Sequence, residues 1–322
     1  MDKRNNERRL VMEKSVITIS NITDFIETVC KLNNEVQKEL SFHYHTLLFR
    51  GQSDKDFELI PSIGRNRSGA CDCTIFNEER NLIDMAKFKM PNVFRNDLSP
   101  IELLALLQHH GIPTRLLDIS ENALVALYFA CCDNQEKDGE VIVFKSNDDD
   151  VTNYPIINAI ADSCRFTNGT WTPLSFFYGD VKNQPYFLEQ KRTMEVSNED
   201  DIAGGEWISN CCHGIMYIYA PIQSARQQAQ QGRYILFPNH IEYETYNEGS
   251  FEWTMDAIPK DHEDIALRII IPKEIKKQLL LDLSILGITE ATLFCDSIDT
   301  VCKGIVESFQ KKCKKMEAWP NE

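Results

Sequence analysis

The chain has 322 residues, 43% of them hydrophobic and 26% charged, an ordinary composition for a globular protein with a buried core and enough chain for one large domain or two small ones. Its 34 basic and 49 acidic residues give a formal charge of −15, which excludes broad affinity for nucleic acid, because that affinity is built from Lys and Arg neutralising phosphates. No apolar run approaches the roughly 20 residues of a membrane span; the opening "MDKRNNERRLVMEK" has no apolar core of signal-peptide length, so the sequence is read as soluble and cytoplasmic.

The basic clusters lie at the two ends, Lys3, Arg4, Arg8 and Arg9, then Lys311, Lys312, Lys314 and Lys315, and read as solvated tails. The 11 cysteines are odd in number and include the adjacent pairs Cys131-Cys132 and Cys211-Cys212, which strain forbids from bridging each other. "CDC" at Cys71 to Cys73 has no matching half, and no CxxC pair is present. Reduced thiols without a metal are expected.

Val16 to Ile19 reads as a strand. Phe25, Ile26, Val29, Leu32, Val36 and Leu40 recur at helical spacing, which predicts an amphipathic helix near 22–40. "HTLLFRGQ" is a strand expected to meet a loop at Arg50 and Gly51, and "FELIPSIGR" an extended segment stopped by Pro61. Residues near 74–90 look helical. "SPIELLALLQHHG" carries a full set of helix signals: Ser99 as N-cap with Glu102 completing a capping box, Pro100 in the first turn, and Gly111 at the left-handed C-terminal position. "PTRLLDIS" is extended, Glu121 to Cys132 helical, and "GEVIVFK" a strand. "SNDDDVTN" (Ser146 to Asn153) reads as a surface linker. Beyond it come a strand in "GIMYIYAP", a short helix in "SARQQAQQG", strands in "YILFP" and "LRIIIP", and helices in "KEIKKQLLLDLSILG" and "DTVCKGIVESFQKKCKK". The irregular alternation predicts an α+β fold with a mixed central sheet and flanking helices. The expected division is a strand-helix lead-in over 1–45, a domain over 46–310 with an insertion near 146–215, and a basic tail over 311–322.

Polar residues interrupt the apolar run from Leu103 to Ala130 at Gln108, His109, His110, Thr114, Arg115, Asp118 and Ser120. Element ends are where rigid structure places chemistry. Plainer readings stand beside that one. Ser120 or Asp118 caps the following helix, Arg115 and Asp118 form a buried ion pair, and the two histidines complete a C-terminal turn. His109 and His110 have the right intrinsic pKa for acid-base work, yet neighbours on a helix point about 100° apart and do not share a metal. HExxH, a Walker A motif and GxGxxG are all absent from the sequence.

These residues resemble a family. "FRGQ" with "LIPSIGR" looks like the opening of the FRG domain, a bacterial and phage-associated module. "LLQHHGIPTRLLDISENALVALYFA" is similar to its second block, and "RQQAQQGRY", with Arg226, Gln230, Gly232 and Tyr234, to its third. "LFCDSIDTVCKGI" resembles the closing segment. Ile119, Ala123 and Cys295 depart from the usual Trp, Pro and Pro; the polar motif residues are all kept.

The order of the blocks resembles that of ADP-ribosyltransferases, in which an early-strand Arg grips NAD. The resemblance implies an NAD-using transferase or hydrolase in a toxin or phage-defence role. It places Arg50, Gln52, Thr114, Arg115, Asp118 and Arg226 around a small nucleotide, His109 or His110 on ribose hydroxyls, and Gln230 where transferases hold a catalytic Glu. NAD would be a substrate, with a protein acceptor or partner beside it. Glu242 and Glu244, two apart on one strand face, are alternative carboxylates or a solvated edge. Two other readings stay open: an effector that cleaves RNA or nucleotides with a histidine as acid or base and Arg50 or Arg115 on the phosphate, and a non-catalytic module that binds a nucleotide or a partner.

Overall fold

Leu47, Leu48 and Phe49 are consecutive and all buried. Successive side chains of a strand face opposite ways, so this strand needs cover on both sides and belongs in the middle of a sheet. The computed structural model describes residues 15–38, 45–65, 75–147, 155–167, 171–188, 200–219, 221, 224–243 and 249–295. The strands are β1 (Ser15–Thr18), β2 (His45–Gln52), β3 (Leu116–Ser120), β4 (Gly139–Asn147), β5 (Trp171–Pro173), β6 (Met216–Ile218), β7 (Gly232–Leu236), β8 (Ile241–Tyr243), β9 (Gly249–Glu252) and β10 (Ile265–Ile271). The helices are α1 (Ile22–Lys38), α2 (Glu79–Lys89), α3 (Pro100–His109), α4 (Ala123–Cys131), α5 (Pro155–Ala161), α6 (Leu174–Val181), α7 (Pro185–Leu188), α8 (Asp201–Cys211), α9 (Ala225–Ala229), α10 (Lys276–Ile285) and α11 (Glu290–Leu293).

Among the described residues, seven strands form one sheet in the order β1-β10-β4-β2-β3-β7-β6, and β5-β9-β8 form a second, smaller one. The β1–β10 pair is parallel and the other neighbours in the large sheet are antiparallel. The protein is therefore α+β with a mixed central sheet, as the sequence predicts. No helix among the described residues is long and apolar enough to cross a membrane.

The sheet's two faces follow from strand parity. Leu47, Phe49, Val141, Val143, Leu267 and Ile269 pack with Phe25 of α1, Val125 and Ala126 of α4, and Leu279 and Leu283 of α10. Leu48, Ile142 and Phe144 point the other way and join Leu117, Ile119 and Ile235. Phe49 is in register with Ser120, so Leu116, Asp118 and Ser120 share the first face with Phe49. There Leu116, Tyr234 and Leu236 pack against Leu104 and Leu107 of α3, Ile160 of α5, and Phe177 of α6. One face of the sheet thus carries two helical groups, with the β2–β3 junction beneath the seam between them.

Two glycines let α4 lie close to the sheet. A methyl group at Gly51 would stand 1.8 Å from the Ala126 carbonyl oxygen, and one at Gly139 would stand 2.3 Å from that of Ala130. Neither glycine has a positive backbone φ; both are needed for close approach. Arg50 and Gly51 lie inside β2, not where the strand meets a loop, because β4 pairs with β2 along its whole length to Gln52.

The capping signals around α3 are realised in full: Ser99 accepts from the Glu102 N–H, Glu102 accepts from the Ser99 N–H at 2.9 Å, and Gly111 has φ +81°. α4 is capped by Asn122, whose side chain accepts from the Leu124 N–H. "FELIPSIGR" is bridged through Leu59 to Ile258 and then forms a single helical turn at Ser62–Gly64. Cys71 and Cys73, most of the 146–153 linker, Glu244, the helix expected over 299–315 and both basic tails lie outside the described residues.

Candidate functional site

The turn that ends α3 builds the first part of the site. Gly111 reverses the chain and brings Thr114 back over the last helical turn. The Thr114 hydroxyl accepts from the Leu116 N–H at 3.2 Å and donates to Gln108 Oε1 at 2.5 Å. With its oxygen committed as acceptor, Gln108 turns its amide nitrogen to Asp118 and donates to Oδ1 at 2.8 Å. Asp118 is the one exposed residue of β3, whose other four are buried. A carboxylate is thereby held in a set orientation by a three-residue relay, and Oδ2 has no protein partner among the described residues.

Arg50 reaches the same place from β2. The two strands share a single register pair, Phe49 with Ser120, and the Arg50 Nη1 donates to the Asp118 main-chain oxygen. The guanidinium stitches a junction that the sheet ladder leaves nearly open. Its Nε is buried without a hydrogen-bond partner. Burial lowers the Arg50 pKa to about 10, with Arg65 pushing the same way and Asp118 opposing; the group stays cationic at neutral pH.

The third part is the α9 turn. Ser224 caps α9 by accepting from the Gln227 N–H at 3.0 Å. The chain then leaves the helix through Gln230 and Gln231, the latter at φ 45°, into β7. Two bonds tie this turn to the end of β3: the Ser120 hydroxyl donates to the Gln230 carbonyl at 2.7 Å, and the Glu121 N–H to that of Gln231 at 3.0 Å. Ser120 also accepts from the Asn122 N–H at 2.9 Å, so it buttresses the start of α4 while Asn122 does the capping. The Gln230 amide donates to the Leu293 carbonyl at 3.1 Å, and the Arg226 guanidinium lies 4.5 Å from the centre of the Phe294 ring.

These parts enclose a cleft of about 240 Å³ at the seam between the two helical groups. Arg50, His109, Asp118, Arg226 and Gln230 line it, beside Phe49, Phe129 and Tyr234. Burial pushes the Tyr234 phenol well above its usual pKa, so it presents a neutral hydroxyl. Two guanidinium groups, one fixed carboxylate, an imidazole and aromatic walls can receive a small, flat, partly anionic molecule.

Other predicted residues lie elsewhere. Arg115 is 1% exposed and makes a two-pronged ion pair with Glu79, through Nε at 2.9 Å and through Nη2. It also donates to the Phe237 carbonyl and Asn239 Oδ1, each at 3.2 Å. Its partner is Glu79 and not Asp118, and with its donors spent inside the core it takes no part in the cleft. Gln52 shares Arg50's face of the strand but is buried beneath the strand end, donating to the Glu58 carbonyl at 3.2 Å, and it does not line the cleft. His110 is exposed, edge-on to Phe94 at 5.8 Å, and is not part of the cleft wall. Thr114 acts through Gln108. Sequence reasoning assigned Phe129 and Tyr234 no role, although both stand inside the quoted blocks. Phe294, which holds Arg226, stands in the quoted closing segment and was likewise given no role.

Residues 45–139 match the family model of the FRG domain. No curated protein and no solved structure matches the chain. The matched stretch runs from β2 to the start of β4 and supplies Arg50, Gln108, His109 and Asp118. Arg226, Gln230 and Tyr234 come from beyond it.

Proposed function

We propose that the FRG domain carried by this chain works as part of an ADP-ribosyltransferase-like cleft that binds NAD and breaks its nicotinamide–ribose bond. The observation that carries the reading is the gathering of Arg50, Arg226 and the fixed Asp118 carboxylate on one small cleft with aromatic walls. Guanidinium groups suit a diphosphate, which they engage in forked geometry. An oriented carboxylate suits the positive charge that grows on the ribose as nicotinamide departs.

In this reading the bond between the anomeric carbon and the pyridinium nitrogen breaks, and nicotinamide leaves with the electron pair. Asp118 faces the resulting oxocarbenium ion. Water or an acceptor hydroxyl adds to the same carbon, and its proton passes to His109. Gln230 stands at the position where the resemblance places a catalytic Glu, but its amide is bonded to Leu293. Asp118 therefore takes the electrostatic role and Gln230 holds the wall.

Calorimetric titration with NAD tests the binding half of the proposal. The wild type is expected to bind in the micromolar to millimolar range, and Arg226→Ala to bind about 10-fold or more weakly, the usual loss for a charge-assisted hydrogen bond. Unchanged affinity in Arg226→Ala, or no heat at millimolar NAD, overturns it.

A further inference from the structure

Arg80, Ile83, Asp84 and Lys87 recur along α2 at helical spacing and so share one face of it. That face walls a cavity of about 350 Å³, closed on its other sides by the start of α3 and the turn after α5. None of its wall residues belongs to the first cleft, and its volume is within the range of small-molecule sites. The floor is apolar: Leu103, Leu104 and Ala161 are buried and Ile83 is half-buried. The rest of the wall is charged, with Arg80, Lys87 and Arg165 beside Asp84 and Asp162.

The ion pairs decide which of these charges a ligand meets. Asp162 is buried and accepts from one nitrogen of Arg165, Nη1, at 3.0 Å on Oδ2 and 3.4 Å on Oδ1, and from the Tyr186 hydroxyl at 3.3 Å. Burial raises its pKa to about 6, with Arg165 and Tyr186 opposing; it is ionised at neutral pH and its charge is spent where it stands. Nε and Nη2 of Arg165 have no protein partner among the described residues, and the guanidinium lies 5.2 Å from the centre of the Phe166 ring. Arg80 meets Asp84 only at 4.0 Å with both side chains exposed, a pair worth little in water. Lys87 is half-buried, and its ammonium has neither an ion-pair nor a hydrogen-bond partner among the described residues. Burial pushes the Cys164 thiol well above its usual pKa, so it adds no negative charge to the wall. In a chain of formal charge −15, cationic donors left open around an apolar hollow suit an anion with an apolar body. The two carboxylates on the same wall disfavour a dianion, so a single negative charge fits.

We propose that this cavity binds a small amphiphilic carboxylate, its head taken by Lys87 with Arg80 and Arg165 beside it. The hydrocarbon body lies on Ile83, Leu103 and Leu104. The site does not depend on NAD chemistry in the first cleft.

Ligand-observed saturation-transfer NMR on the full chain, with hexanoate as probe and hexan-1-ol as neutral control, tests this. Hexanoate is expected to bind with a Kd on the order of 1 mM, reasonable for a ligand of its size, and hexan-1-ol about 10-fold more weakly, because it lacks the charge-assisted bond. Lys87→Met keeps the stem and removes the charge, and should weaken hexanoate about 10-fold. Lys89→Met removes the same charge from an exposed position of α2 outside the cavity and should leave binding unchanged. An unaltered proton spectrum of the folded protein guards against trivial unfolding in either variant. No transfer to hexanoate at about 10 mM, hexan-1-ol bound as tightly, or hexanoate binding indifferent to Lys87→Met overturns the proposal. Equal losses in Lys87→Met and Lys89→Met also overturn it, because they reduce the effect to the general charge of the surface.

Discussion

Two arginines of the resembling blocks have opposite environments, and a substitution separates them. Arg115 and Glu79 are both nearly inaccessible and hydrogen-bonded to each other. Removing one partner leaves the other charge buried and uncompensated, which costs about 3–5 kcal/mol. Glu79→Gln should therefore lower the denaturation midpoint sharply, and the double variant Arg115→Met with Glu79→Leu should recover much of that loss. Equal midpoints for Glu79→Gln and the wild type in urea would contradict this assignment. Arg50 differs, because it bonds a strand carbonyl at the edge of a cleft. The sequence showed that both arginines were unusual. It did not show which was structural, because Arg115 finds its partner in α2, far back in the chain, with no local spacing to reveal it.

Elements with local causes were legible. The Ser99–Glu102 box, Pro100 and Gly111 fix α3 at both ends through contacts within a few residues, and the structure repeats them. The start of α4 was read less well, since Ser120, Asn122 and Asp118 are all plausible caps and only the tertiary bond from Ser120 to Gln230 draws Ser120 away. The glycine of "FRG" had no readable reason before α4 was placed on the sheet. Gly51→Ala must displace α4, since its methyl carbon would sit 1.8 Å from the Ala126 oxygen. A loss of about 3 kcal/mol or more is expected, visible as a lower melting temperature. Gly111→Ala meets nothing within 4 Å and carries only the strain of a left-handed residue, about 1 kcal/mol. A Gly51→Ala variant as stable as Gly111→Ala would contradict the close packing of α4 on β2.

At the scale of the whole molecule, strand order was not readable. β1 pairs in parallel with β10 from near the other end of the described chain, and nothing local encodes such a pairing. The gathering of Arg50, His109, Asp118, Arg226 and Gln230 was more accessible, because polar residues interrupt apolar runs in three separated blocks. Orientation was the missing information. Gln52 is spent on the Glu58 carbonyl, His110 lies a helical step away, and Gln108 and Thr114 act behind Asp118. What the fold builds is a carboxylate held by α3 and β3, faced by guanidinium groups from β2 and α9, at the seam of two helical groups.

The most direct measurement is the release of nicotinamide from NAD by the purified full chain, followed by chromatography, in the wild type and in Asp118→Asn. The substitution keeps size and shape and removes the charge, and an electrostatic group of this kind is worth about 10²–10³-fold in rate. Steady release by the wild type and a loss of that order in Asp118→Asn are expected, with the melting temperature nearly unchanged. Release that is equally fast in both proteins, or absent from a folded wild type that also fails to bind NAD, would contradict it.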